Sequence, residues 1–387
     1  MWIGYYKRWC SIVAGEAILV LGAGRIGYVT AWDLSKRGYE VFVGDISHET
    51  LRNISRKLNV ETVKVNGLNR NEIEMFKGKV SVVCTALPGH VSVDVTFNLV
   101  SLGFNVVDVG IKSVEPLSEI HNVAEAHNAF VIPYAGLAPG LSHILAGRVY
   151  FELQIPESIN IYVGGIPLKA KNKPLKTNIT WSPIDFLRQY LRPAKIIVDG
   201  VIEYKDPLHY SGKVVIPMVG EFEYFVSDGL RSLPYTFPRV KNMAEYTLRY
   251  KGHVNAMKML RDIGLLSEEP ISIGNVKIKP IELLAKLLEK HLTMDVRDKV
   301  VLYVEGSRDS FKKGFLVVDK YDEKNKMTAM ARTTGFTQAS VTILALEGLL
   351  PRSKGVIYPE EIGFNEDCFE RLWILLRERG IKYREIE

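Results

Sequence analysis

The sequence is poor in cysteine. Cys10, Cys84 and Cys368 are the only three in 387 residues, too few and too scattered for a disulfide framework or a zinc site, so a reducing cytoplasm is the expected compartment. It also lacks any apolar run of the roughly 18–20 residues that a membrane helix needs. The stretch 11–24 follows Lys7 and Arg8 and has the outline of a signal peptide, but Glu16 interrupts it and its second half reads as a buried strand. Residues 1–14 are read as an N-terminal extension. Neither sign of charge dominates. Fifty Lys and Arg face 44 Asp and Glu, a net charge of +6, and the charges are dispersed, which argues against a nucleic-acid partner. His121, His127 and His143 have no acidic partners at ligand spacing, so no metal site is expected. There is no internal repeat and no low-complexity linker.

What is present is ordinary for a globular enzyme. Hydrophobic residues make up 47% and charged residues 24%, and the length suits two or three domains with real cores. Ala17–Leu21 is a short apolar run ending in Gly22-Ala23-Gly24-Arg25-Ile26-Gly27. An amphipathic segment from Ile26 to Lys36 follows, then Glu40–Gly44 and Asp45. A glycine pattern GxGxxG between a strand and a helix, with an acid at the end of the next strand, is the dinucleotide-binding fingerprint. Gly22 permits the tight turn, Gly24 lets the backbone approach a pyrophosphate, and Gly27 allows close helix–strand packing. The helix start at Arg25 and Ile26 offers free N–H groups to the phosphates. Asp45 would accept hydrogen bonds from the ribose hydroxyls and repel a 2′-phosphate, which predicts NAD rather than NADP.

The alternation continues. Val80–Thr85 reads as a buried parallel strand, and the segment at its end, including Thr85, Ala86, Leu87, Pro88 and His90, is expected to flank the nicotinamide half of the cofactor. Helix 91–102, strand 105–109, helix 120–128, strand 129–133 and a helix opening at Pro139-Gly140 complete a doubly wound parallel sheet. From Ile159 the character changes. Segments 159–164, 196–204, 213–217, 298–305, 314–321 and 327–332 read as strands of an antiparallel sheet, with helices at 182–190, 253–262 and 281–292. The expected organisation is a Rossmann domain over 15–140, an α+β substrate and dimerisation domain over 141–332, and helices over 333–387 that pack back on the first domain.

Several local patterns add to the fingerprint: Gly136-Leu137-Ala138-Pro139-Gly140-Leu141, Trp181-Ser182-Pro183, Asp228-Gly229-Leu230-Arg231-Ser232-Leu233, Thr247-Leu248-Arg249-Tyr250-Lys251-Gly252-His253, and Thr333-Thr334-Gly335-Phe336 followed by Glu347-Gly348. Together they resemble the saccharopine dehydrogenase-like family, most closely its L-lysine 6-dehydrogenase branch, over nearly the whole chain from about residue 16. The resemblance implies a Rossmann domain with an inserted α/β substrate domain, C-terminal helices returning to the first domain, and a homodimer. Glutamate-forming saccharopine reductases typically carry Asp where this chain has Ala138, so Ala138 resembles the lysine branch.

The implied reaction is NAD-dependent oxidative deamination of the lysine ε-amine, with a saccharopine-type dehydrogenase or reductase as the alternative and a non-catalytic NAD-binding scaffold as a third reading. Such chemistry needs a carboxylate clamp, an amine anchor, a proton acceptor and a water. Arg231 and Arg249 are the candidates for the substrate carboxylate, since guanidinium binds it bidentately; the alternative is a structural arginine. Asp108, near a strand end, either holds the amine, caps a helix or binds ribose. His253 either accepts a proton or caps the following helix. Tyr235 and Thr236 are candidate pocket-lining residues, and Lys112 would serve as a base only if desolvated. Cys84, inside an apolar strand, reads as an inert buried thiol. A saccharopine-type substrate carries more carboxylates than lysine and would call for more cationic groups in the pocket.

Overall fold

The structure is a computed structural model that describes residues 17–111, 117–170, 174–179, 182–292 and 297–387. The expected extension at 1–14, with Cys10, lies outside those residues, as do Lys112 and Trp181. The first sheet is built from β1 (Ala17–Leu21), β2 (Glu40–Asp45), β3 (Glu61–Lys64), β4 (Val82–Thr85), β5 (Val106–Asp108) and β6 (Phe130–Ile132). Between them run α1 (Arg25–Lys36), α2 (His48–Ser55), α3 (Arg70–Glu74), α4 (Gly89–Ser101) and α5 (Ser118–Ala126). All neighbouring strands are parallel, and the order β3-β2-β1-β4-β5-β6 is that of a doubly wound dinucleotide-binding sheet, reversing direction between β1 and β4. Every residue of β1, β4, β5 and β6 is buried, as continuous apolar strands covered on both faces must be.

Helix α6 (Leu141–Leu153) leads to a second sheet, made by β7 (Ser158–Pro167), β8 (Ala194–Val198), β9 (Val201–Lys205), β10 (Ser211–Ile216), β11 (Gly220–Ser227), β12 (Asn242–Arg249), the separate hairpin β13 (Ile271–Ile273) with β14 (Val276–Ile278), β15 (Asp298–Arg308) and β16 (Phe311–Lys320). The hairpin stands apart as a two-stranded sheet of its own. The helices of this half are α7 (Pro183–Arg188), α8 (Leu233–Thr236), α9 (His253–Asp262) and α10 (Pro280–Leu292). The chain ends with α11 (Ala329–Leu346), β17 (Gly355–Val356), α12 (Pro359–Phe364), α13 (Glu366–Glu378) and β18 (Tyr383–Ile386).

Several details differ from the sequence reading. The second sheet is mixed, because β7 and β12 are parallel, not antiparallel. The strand expected over 196–204 is a hairpin, turned at Asp199-Gly200, where both residues have positive φ (48° and 82°) as a two-residue hairpin turn requires. The strand expected over 327–332 is instead the start of α11. Its first amides are taken up by Asp298, whose carboxylate accepts from Ala329 N (2.6 Å) and Met330 N (3.0 Å), while Thr328 Oγ1 accepts from Ala331 N (3.1 Å). A carboxylate supplied by another strand nucleates this helix, and no local pattern announces it.

The two sheets share one core. Val107 and Ile132 of the first sheet pack in the same cluster as Ile159, Leu302 and Phe315 of the second, with Phe336, Leu372 and Trp373 of the C-terminal helices between them. The C-terminal segment also gives a strand to each sheet, β17 beside β6 and β18 beside β16. On the same face of the second sheet, beside this core, α7, α9 and α10 enclose a separate cluster around Phe186, Tyr190 and Phe225. Among the described residues no helix is long and apolar enough to cross a membrane.

Candidate active site

At the end of β1 the chain turns at Gly22, whose φ is +98°. A β-carbon there would lie 2.5 Å from the Ala86 carbonyl oxygen, and one on Gly27 would lie 1.8 Å from the Gly22 carbonyl oxygen. Neither position has room for a side chain. At Gly24 nothing lies within 4 Å of the same site, so the backbone faces open space. Helix α1 then begins at Arg25 and Ile26 with no side-chain cap and no acid in its first turn, which leaves its N-terminal amides and positive dipole available. Asp45, at the end of β2, is held against this turn: Oδ2 accepts from Ala23 N (2.7 Å) and Oδ1 from Ser47 N (2.8 Å). After β4, Ala86 N donates to Leu21 O (2.8 Å), and the Leu87 side chain closes on Gly22. Pro88 and His90 are exposed at the start of α4, a second helix with no side-chain cap. The uncapped amides, the glycine cradle and the adjacent carboxylate fit a dinucleotide.

Ile26 also lines a cavity of 400 Å³ that opens off the C-terminal ends of the first sheet. Its walls are Val109 and residues 136–139 from that sheet, residues 163–165 of β7, alternate residues of β12, the loop 227–231, α7, and Met330 and Thr334 of α11. The Ala138-Pro139 peptide bond is cis. Cleft-facing residues on β12 follow the period of a strand: Glu245, Thr247 and Arg249.

Both arginines singled out from the sequence reach this cleft. Arg231 sits in the left-handed region at φ 42°, a conformation that persists for a non-glycine residue only when its surroundings hold it. His143, in α6, is part of that hold: its Nε2 donates to Leu230 O (3.2 Å), while Nδ1 accepts from Ser142 Oγ (3.1 Å). Burial, with a smaller push from the Arg231 charge, lowers its pKa to about 3, so the ring is neutral. Arg231 Nη1 lies 3.4 Å from Asp228 Oδ2. Arg249 is buried, packed against Phe186 and Phe225 at 5.7 and 5.6 Å from the ring centres, and its Nη1 donates to Leu248 O (2.8 Å). The Nε of each arginine is buried with no hydrogen-bond partner. A third arginine, Arg192, lies at the rim.

Three acids of the cleft lining, Asp185, Asp228 and Glu245, were not among the sequence candidates. Asp228 pairs with Arg231. Glu245, 4% exposed, accepts from Ser227 Oγ through Oε1 (3.3 Å), and its Oε2 has no partner. Burial outweighs the Arg231 charge and pushes its pKa up to about 7. The signal was available: Glu245 precedes Thr247 and Arg249 at strand spacing. It was missed because β11 and β12 were not recognised as strands.

Four other candidates lie away from the cleft lining. Asp108 is wholly buried and its carboxylate is fully engaged: Oδ2 accepts from the hydroxyls of Thr85 and Ser92, and Oδ1 from Gly110 N (2.6 Å) and Ile111 N (2.5 Å). Burial raises its pKa. It ties β4, α4 and the loop after β5 together, the structural alternative left open for it, with both oxygens engaged there. His253 lies behind Arg249, its Nδ1 donating to Leu175 O (2.6 Å) and its Nε2 accepting from Tyr190 OH (2.7 Å). Burial, then the Arg249 charge, lowers its pKa to about 3. With both nitrogens engaged, it braces the wall instead of taking a proton from the cleft. Thr236 donates to Glu360 Oε1 (2.7 Å), and Tyr235 is exposed with Lys195 over its ring. Cys84 is buried beside Thr342 Oγ1 (3.1 Å), and burial pushes its thiol up to about 12, as an inert thiol requires.

Comparison with known proteins bears on the family and the fold. Residues 18–135 match the family model described as the saccharopine dehydrogenase NADP binding domain, and residues 136–381 match the saccharopine dehydrogenase C-terminal domain. The mitochondrial alpha-aminoadipic semialdehyde synthase of Bos taurus is 22% identical over 96% of this chain and 48% of its own length. The saccharopine dehydrogenase [NADP(+), L-glutamate-forming] of Pyricularia oryzae is 24% identical over 66% of this chain and 59% of its own length. The chain thus spans about half the length of these curated relatives. The apo saccharopine dehydrogenase (L-Glu forming) of Saccharomyces cerevisiae has the same fold, with a TM-score of 0.78, 19% identity, and coverage of 96% of this chain and all of that one.

Proposed function

Because the chain belongs to the saccharopine dehydrogenase family, we propose that it is a nicotinamide-dependent oxidoreductase acting at the carbon–nitrogen bond of an amino acid, and that its substrate is of the saccharopine type. The observation that carries this reading is the set of three arginines in one cleft at the ends of the parallel strands, two of them with a buried, unpartnered Nε. A buried guanidinium with an unmet donor is costly, and a carboxylate meets that need. One arginine would suffice for the single carboxylate of lysine. Three suit the several carboxylates of a lysine joined through its ε-nitrogen to a dicarboxylic acid.

When bound, the nicotinamide supplies the hydride acceptor or donor. The chain's own residues hold the cofactor through the 22–27 turn, orient the substrate between Arg231 and Arg249, and close the site with α11. Asp45 supports NAD as the preferred cofactor, because a carboxylate at the ribose repels a 2′-phosphate.

Free lysine is the second reading, with the ε-amine oxidised and ammonia released. Ala138, the residue that resembles the lysine 6-dehydrogenase branch, lines the cleft. The test is formation of reduced cofactor by purified protein with L-saccharopine and with L-lysine, each with NAD and NADP. Turnover of saccharopine with NAD is expected; turnover of lysine alone would transfer the assignment to the second reading. Cofactor binding without turnover of either would overturn both. A homodimer formed through the second domain is proposed with the family assignment, and sedimentation would test it.

A further inference from the structure

Glu245 is the one cleft acid that is both deeply buried and only half satisfied. It occupies the middle of β12, with Thr247 and Arg249 further along the same face. On strand spacing Arg249 lies roughly 13 Å away in Cα position, so the two ends of the row are separate subsites. An ionised carboxylate offers about four acceptor positions. Glu245 uses one, for the Ser227 hydroxyl, and leaves Oε2 bare. Such an atom calls for a donor, and an exchangeable one if the group changes charge.

Its surroundings suit a proton shuttle. Arg231 and Asp228 face it from the loop, Asp185 and Arg192 lie across the cleft, and Arg249 stands at the far end of the strand. The nearest cation, Arg231, is already shared with Asp228, so it neutralises Glu245 only in part. Burial outweighs it and places the carboxyl near neutrality, at about 7, where a general base is most effective. His253 and Asp108, the acid–base candidates read from sequence, have their nitrogens and oxygens engaged elsewhere.

We propose that Glu245 is the catalytic acid–base of this site: its free Oε2 takes the proton from the substrate's ammonium nitrogen and returns it in the reverse direction. This rests on the oxidoreductase reading given above. In the oxidative direction one N–H bond of the bound ammonium breaks and one O–H bond forms on Glu245. The nitrogen regains its lone pair, which then forms the C=N bond as hydride leaves the adjacent carbon for the nicotinamide. The ammonium proton stays on Glu245 until water or product removes it. Arg231, beside it, binds the carboxylate attached near that nitrogen.

The experiment compares wild type, Glu245→Gln and Glu245→Asp by the pH profile of kcat/KM with L-saccharopine and L-lysine, alongside the dissociation constant of NADH. Wild-type oxidation is expected to fall as pH drops below about 7, because the base becomes protonated. Glu245→Gln is expected to lose about a hundredfold in kcat and to lose that acid limb, with NADH binding unchanged. Glu245→Asp should restore part of the rate and keep the limb. A Gln variant within threefold of wild type, or one that keeps the limb, overturns the proposal while leaving the functional reading intact. If the Gln variant fails to bind NADH, the Asp variant decides: an unaltered rate and profile also overturns it. Wild type that binds NADH and oxidises neither amine defeats the functional reading, and this proposal with it.

Discussion

Gly229 lies directly against the carboxyl group of Glu245: a β-carbon at 229 would stand 1.8 Å from Oε1 and 2.0 Å from Cδ. The glycine in the loop carrying Arg231 therefore makes the space in which the acid sits. Gly229→Ala should push the Glu245 side chain out of its seat. The obstacle is the far end of a flexible side chain, so the stability cost should stay near 1–2 kcal/mol, while kcat falls at least tenfold. Thermal unfolding measured beside kcat would separate the two. Equal activity with an equal melting temperature would show that the carboxyl position is immaterial.

Asp45 governs cofactor choice if its carboxylate meets ribose hydroxyls. Asp45→Ala is expected to weaken NADH by about tenfold, the worth of one charge-assisted hydrogen bond, and to leave NADPH unchanged or tighter. Fluorescence titration of both reduced cofactors reads this directly. Equal losses for the two would remove the argument for NAD.

Asp108→Asn should behave as a structural change. The amide cannot accept at both ends, so the hydroxyls of Thr85 and Ser92 or the amides of Gly110 and Ile111 lose a partner. A loss of about 1–3 kcal/mol in unfolding free energy is expected, with the acid limb of the pH profile in place. A vanished limb would return the acid–base role to Asp108.

Glu360 provides a pH signature of stability outside the cleft. It is buried, accepts from Thr236 Oγ1 through Oε1, and has a bare Oε2. Burial pushes its pKa up to about 7, against about 4.3 in an unfolded chain. A raised carboxyl pKa contributes stability that is complete below about 4.3 and is lost as pH rises through 7. Glu360→Gln removes this titration, so its melting temperature relative to wild type should climb between pH 5 and pH 8, by the equivalent of at most about 3 kcal/mol. A difference that does not vary with pH would show that Glu360 stays charged in the folded protein.

The sequence by itself determined the first half of this protein. A glycine turn between an apolar strand and a helix, with Asp45 one strand later, is a local code, because backbone clearance and helix-end amides depend on neighbours in the chain. The same locality made Arg231 and Arg249 legible as cleft residues. Tertiary structure decided the rest. Gln338 shows why: its Nε2 donates to the carbonyls of Thr85 and Val107 at 2.9 Å each, and its Oε1 accepts from Thr30, joining α11 to two strands and α1 across more than 200 residues. Asp298 starts a helix it does not belong to. Asp108 and His253 carry residue types fit for acid–base work, yet partners brought by the fold engage all their polar atoms. Glu245 shares the strand spacing of Thr247 and Arg249, but it becomes a candidate base only because β11 and β12 bury it beside Arg231, with one oxygen left without a partner. Whether an ionisable group is spent on structure or free for chemistry depends on burial and on long-range partners, and only the folded chain supplies those.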